Sequence, residues 1–135
     1  MQPILPDSAR AFLEKPNPAV MATLAKDGRP ISAATWYLLE ADGTILVNLD
    51  VRRVRLAHLR RDPRFALTVL DGTDWYSHMS MQLVVTSITD DVDKSDIDAL
   101  SMHYTGHAYP NRERARVSVR AEILWRHGWG SLAGA

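Results

Sequence analysis

The sequence predicts a mainly β fold, six antiparallel strands in a closed or half-closed small barrel, with three short helices at connections. Three observations carry this. Apolar and polar residues alternate in short runs bounded by Gly, Pro and Asp, the period of strands rather than helices. Two Asp-Gly pairs, Asp27-Gly28 and Asp42-Gly43, lie between such runs and mark hairpin turns. No strand–helix–strand rhythm appears, so no parallel sheet is expected. A chain of 135 residues, 46% of them apolar, has the length of one domain and enough material for a core. The domain is expected to occupy residues 1–135, with its core between 9 and 130.

The elements follow in order. Asp7 or Ser8 can cap a helix from Ala9 to Lys15 that turns Phe12 and Leu13 inward, and Pro16-Asn17-Pro18 breaks it. Val20 to Leu24 reads as a buried strand. Pro30 to Glu40 returns as one long strand with Ile31, Ala33, Thr35 and Tyr37 on one face and Ser32, Ala34, Trp36 and Leu38 on the other. Thr44 to Leu49 is the third strand and Arg64 to Leu70 the fourth. Trp75 to Thr89 is a long alternating strand, expected to bend or bulge. Asp93 to Tyr104 is helical, with Ile97, Leu100 and Met102 as its apolar positions. Gly106 and Pro110 make the next segment a loop. Arg116 to Trp125 is the last strand, setting Val117, Val119, Ala121 and Ile123 against Ser118, Arg120 and Glu122.

Between the third and fourth strands lies a short helix that stops before Pro63, because the residue preceding proline is disfavoured in helix. Asp50 or a neighbour can cap its first turn. Its charge needs explaining. Arg60 and Arg61 sit near the C-terminal end, where the helix dipole favours cations. Arg52, Arg53 and Arg55 crowd the other end, where the dipole opposes each by roughly 0.3–1 kcal/mol. An anion held between them would resolve the conflict, since a helix N-terminus offers free N–H groups and guanidinium forks grip phosphate. The plainer alternative is a solvated basic turn.

Bulk properties exclude other classes. Lys plus Arg equals Asp plus Glu, so no global field draws the chain to nucleic acid or a membrane surface. No cysteine means no disulfide framework and no thiolate chemistry. The stretch Met1 to Asp7 lacks the basic and apolar regions of a leader, and no apolar run approaches the ~20 residues of a membrane helix, so the expected location is cytoplasmic. The five histidines show one i, i+4 pair, His103 and His107, which straddles Thr105-Gly106, and no metal site is expected.

Met21-Ala22-Thr23-Leu24, Asp27-Gly28-Arg29-Pro30, the Trp36-Tyr37 strand, Arg53-x-Arg55 and Leu59 to Arg64 together resemble the pyridoxamine-phosphate-oxidase-like split β-barrel family. The likeness is closest to its actinobacterial branch that uses the deazaflavin coenzyme F420. Asp96 to Leu100, Tyr104-Thr105-Gly106, Tyr109-Pro110, Arg116-Val117 and the Trp125 to Trp129 tail extend it, over roughly Ala9 to Gly130. The resemblance implies a Greek-key split barrel and a homodimer with two interfacial cofactor sites. It implies that Arg53 and Arg55 hold the cofactor phosphate, with Arg52 at the surface or the cofactor's acidic tail. Pro30, Ser32 and Ala34 would border the ring system, Asn48 would join the contacts, and Trp75 would supply an aromatic edge from the partner chain. Gln82-Leu83 stands where the family often has a basic-glycine step, so Leu83 is expected to reshape the acceptor pocket. The implied activity is hydride transfer between F420 and a conjugated acceptor such as an activated alkene or quinone, the cofactor carrying the chemistry. The alternatives are an FMN-dependent oxidase or reductase of the same fold, and a non-catalytic binder of a cofactor or tetrapyrrole. The catalytic residue is left unassigned.

Overall fold

The computed structural model describes residues 4–135, so the first three residues of the stretch read for a leader lie outside the described residues. The chain runs α1 (Asp7–Leu13), β1 (Ala19–Leu24), β2 (Pro30–Thr35), β3 (Leu38–Leu39), β4 (Ile45–Asp50), α2 (Val54–Arg61), β5 (Arg64–Leu70), β6 (His78–Asp90), α3 (Ser95–Thr105), β7 (Arg116–Trp129) and a closing 3-10 turn, Gly130–Leu132. The strands form one antiparallel sheet of seven in the order β2-β1-β5-β6-β7-β4-β3.

The seventh strand arises because the run from Pro30 to Glu40 breaks. Trp36 stacks on Tyr104 at 5.3 Å, and Tyr37 meets the same ring edge-on at 6.5 Å. Neighbours in a regular strand point to opposite faces, so two consecutive aromatics cannot both reach Tyr104 without a kink. The halves then pair at opposite ends of the sheet, β2 with β1 and β3 with β4. A flat sheet of seven strands would hold its edges about 29 Å apart. Three Cα steps from Thr35 to Leu38 cover at most about 11 Å. The sheet must therefore curl enough to bring the end of β2 near the start of β3, which is consistent with a split barrel, in seven strands where the sequence suggested six.

Met21, Tyr37, Val47, Leu67, Val69, Met79, Met81 and Val119 fill the interior with no exposed surface. β6 and β7 carry register shifts between Gln82 and Leu83 and between Val85 and Ser87, the bulging expected of the long strand. β6 starts later than the sequence suggested because the turn consumes residues up to Ser77: the Asp71 carboxylate accepts the Thr73 amide at 2.9 Å, and the Ser77 amide donates to the Asp74 carbonyl at 2.9 Å. β7 runs four residues beyond Trp125, because Arg126, His127, Gly128 and Trp129 stay in register with Met81 to His78. No helix among the described residues is long and apolar enough to cross a membrane.

Candidate functional site

The short helix α2 begins as the charge argument anticipated and is capped differently. Arg53 itself occupies the N-cap position, no side chain caps the first turn, and no acidic residue stands in it. Asp50 instead folds the approach, its carboxylate accepting the Arg52 amide at 2.9 Å and its carbonyl the Arg53 amide at 2.9 Å. At the far end Asp62 is extended, as Pro63 demands. The helix is seated by Leu56 and Leu59, and by buried His58, whose Nδ1 lies 2.8 Å from the Thr23 hydroxyl of β1.

A cleft of about 580 Å³ opens at this helix start and is bordered by Ala34, Trp36, Asn48, Asp50, Arg53, Arg55, Tyr104, Tyr109 and Arg116, among others. Its first property is uncompensated positive charge. Among the described residues, no carboxylate lies within ion-pair distance of Arg53, Arg55 or Arg116. Asp50, which also borders the cleft, is bonded to Arg114 at 2.7 Å. Arg55 is half-buried, and Nη1 reaches only the Met21 sulfur at 3.8 Å. Burial first, and the neighbouring Arg53 charge second, hold its guanidinium below the usual arginine range.

Its second property is an aromatic wall. Trp36 lies parallel to Tyr104, their planes 10° apart, and meets Tyr109 edge-on at 6.3 Å. The Tyr104 hydroxyl donates to the Asn17 carbonyl at 2.6 Å, and burial pushes its pKa up to about 12, so it stays neutral. The third property is a locked polar floor. Buried Asp91 accepts the amides of Asp96 at 3.1 Å and Ile97 at 2.9 Å, capping α3 from outside its first turn. The same carboxylate takes Asn48 Nδ2 at 3.1 Å, while Asn48 Oδ1 accepts Arg116 Nε at 2.9 Å. A flat, conjugated molecule with an anionic group matches this combination of cation, ring wall and fixed hydrogen bonds.

The structure brings Arg53, Arg55, Ala34 and Asn48 to one cleft. Asn48 lines it with its side-chain bonds already spent on Asp91, Ser118 and Arg116, so it serves as a support. Arg52 is exposed beside the cleft. Pro30 and Ser32 share the exposed face of β2 with Ala34, and Pro30 borders a second, more apolar hollow of about 410 Å³ with Phe65 and Leu83. Trp75 stands 74% exposed in the turn before β6 and does not touch the cleft within this chain. Leu83 lines the second hollow, beside Pro30, and not the arginine cleft. It is a core residue, 1% exposed, paired across the sheet with Phe65 and Ile123.

Sequence reasoning did not assign Trp36, Tyr104, Tyr109 and Arg116 to the site. Ser118 reads as part of the polar face of the last strand, yet it is buried, and Arg116, which opens that strand, lines the cleft. The available signal was a polar pair, Arg116 and Ser118, opposite a second polar pair, Asp50 and Asn48, that closes the apolar third strand.

The curled antiparallel sheet and its basic, aromatic cleft place the chain in a recognisable class. It belongs to the pyridoxamine 5'-phosphate oxidase family, whose pattern matches residues 5–130, and the family includes oxidoreductases. Among solved structures it is similar to an F420 reductase, with a TM-score of 0.81 and 21% identity over 90% of this chain and 98% of the other. A conserved hypothetical protein from Mycobacterium tuberculosis matches with a TM-score of 0.69 and 23% identity over 93% of this chain and 85% of its own. A putative pyridoxamine 5'-phosphate oxidase from Listeria innocua matches with 0.67 and 18% over 90% and 95%. No curated protein matches the chain. At these identities the likeness is one of fold.

Proposed function

We propose that the chain is an oxidoreductase that binds coenzyme F420 in the arginine cleft and passes a hydride between it and a conjugated organic acceptor, such as an activated alkene or quinone. The observation that carries this is the pair Arg53 and Arg55, cationic and without an acid partner among the described residues, at a helix start that opposes both. A bound phosphate group supplies the missing negative charge and accepts the free amides of the first turn. In this reading Arg52, exposed and next to Arg53 in the chain, meets an acidic extension of the cofactor.

When bound, the deazaflavin supplies the hydride chemistry. The chain's own residues do the rest. Ala34 leaves the β2 backbone open to a flat ring. Trp36, Tyr104 and Tyr109 keep one side of the cleft apolar and exclude water. Trp75, Tyr76, Trp125 and Trp129 leave 44–74% of their surface exposed, more apolar area than isolated surface residues explain. In this reading a two-fold partner covers this exposed aromatic surface, and the working form is a homodimer.

FMN presents the same phosphate chemistry and is the alternative cofactor; a non-catalytic carrier is the alternative role. Reduced F420 in large excess over protein, mixed with a quinone such as menadione, separates enzyme from carrier. Many equivalents oxidised per chain support the reading. One equivalent bound and none oxidised, with quinone and enone alike, overturns it.

A further inference from the structure

Arg116, the first residue of β7, is held in an unusual way. Its Nε donates to Asn48 Oδ1 at 2.9 Å and its Nη2 to the Asn48 carbonyl at 3.2 Å, so one edge of the guanidinium is fully used. The orientation of Asn48 is fixed by what lies behind it. Ser118 spends its hydroxyl proton on Asp96 Oδ2 at 2.6 Å, so it can only accept from Asn48 Nδ2, which also donates to Asp91. Asn48 Oδ1 must therefore face Arg116. One face of the guanidinium lies over Tyr109, 5.0 Å from the ring centroid. The end-on edge, with Nη1 and the second proton of Nη2, has no hydrogen-bond partner among the described residues, and Arg116 lines the cleft.

A neutral amide here does the work usually given to a carboxylate. An acid in place of Asn48 would orient the arginine and also cancel its charge. The amide orients it and leaves the charge available. Asp50, the carboxylate paired with Arg116 across the strands, is bonded to Arg114; it attracts Arg116 without reaching ion-pair distance and so leaves the outer edge of its guanidinium unbonded. Tyr109 in turn meets Trp36 edge-on at 6.3 Å, so the Arg116 guanidinium stands next to the aromatic wall.

We propose that Arg116 is the recognition point for a carboxylate on the acceptor, and that the acceptors are planar conjugated organic acids whose unsaturated body lies against Tyr109 and Trp36. This rests on the reading of the cleft as a joint cofactor and acceptor site, and it assigns Arg116 to the acceptor while Arg53 and Arg55 serve the cofactor.

The test is calorimetric titration of the full chain, loaded with F420, using cinnamate and methyl cinnamate as probes. The two differ in charge and share the conjugated body. The parent should bind cinnamate at least about tenfold more tightly than the ester, the scale of one charge-assisted pair. Arg116→Met should abolish the difference and leave the ester unchanged. Arg116→Lys, which keeps the charge and loses the planar fork, should retain part of it. F420 affinity should stay within about threefold of the parent in both variants, against a loss of tenfold or more in Arg55→Ala. Equal or undetectable binding of the two probes to the parent overturns the proposal, a result that requires no variant to fold. So does an F420 loss in Arg116→Met as large as in Arg55→Ala, which would put Arg116 in the cofactor site. If Arg55→Ala keeps full F420 affinity, the cofactor assignment fails, while discrimination between acid and ester still reports on Arg116.

Discussion

Arg55→Ala and Arg60→Ala should move ligand affinity and stability in different directions, because they remove the same charge from opposite ends of one eight-residue helix. Arg55 is the second residue of α2, half-buried, beside Arg53 and without an acid partner among the described residues. Removing one arm of a charge-assisted grip costs roughly 1.5–3 kcal/mol, or about ten- to a hundredfold in cofactor affinity. In the ligand-free protein the same substitution relieves about 0.3–1 kcal/mol of dipole opposition together with some repulsion from Arg53. It gives up the packing of the arginine stem near Met21, about 0.8 kcal/mol for each methylene that is fully covered. These contributions offset, so ligand-free stability should stay within about 1 kcal/mol of the parent, a few degrees in melting temperature. Arg60 is exposed in the last turn, where the dipole favours it. Its removal should cost up to about 1 kcal/mol in stability and leave cofactor affinity unchanged. Fluorescence titration with F420, paired with thermal melts without ligand, reads both quantities. Unchanged binding in Arg55→Ala, or equal losses in the two variants, would show that the anion site is not at this helix start.

Leu83→Ala should destabilise the fold by about 2–5 kcal/mol through a core cavity, while the folded fraction binds cofactor as the parent does; a change in cofactor affinity would mean that this strand reaches the cleft. Gly130→Ala should cost roughly 1–3 kcal/mol in a denaturant titration, since Gly130 has φ +64° and an added Cβ would lie 2.6 Å from the Ser77 hydroxyl and 2.9 Å from its Cα; parental stability would refute that account of the closing turn. Asp98 is held below the usual carboxylate range, first by the Arg112 fork and then by the Tyr109 amide. Its contribution is therefore complete above pH 3.8, the unperturbed value, and is lost as pH falls through the lower folded value. The protection factor of the Tyr109 amide, its exchange rate relative to the unfolded chain at the same pH, should be unchanged between pH 7 and pH 5 and fall only below pH 3.8; loss of protection at pH 5 would contradict the assignment.

Much of the fold was legible because strand patterning is local. The Asp-Gly turns, the proline stops and the alternation of β1, β5 and β7 can each be read from a few adjacent residues. The break between β2 and β3 was not, since it depends on Tyr104, which lies 68 positions after Trp36 and competes for both aromatics. The cleft divides the same way. Arg53 and Arg55 stood out because they violate a local rule, the preference of a helix start for negative charge. Arg116 violates none: it looks like an ordinary exposed strand residue until Asn48 and Tyr109 are brought beside it. Leu83 has two aspects, and local alternation shows only one: its spacing from Met81 makes it a core residue, while its place on the hollow beside Pro30 depends on how β1, β5 and β6 lie together.

The central claim is that this cleft holds a deazaflavin by its phosphate, and titrating the purified parent protein with F420 and with FMN side by side tests it most directly. F420 should bind saturably, one per chain and more tightly than FMN, with inorganic phosphate competing at high concentration. Tighter binding of FMN would transfer the cleft to the flavin, and failure of both to bind would contradict the account.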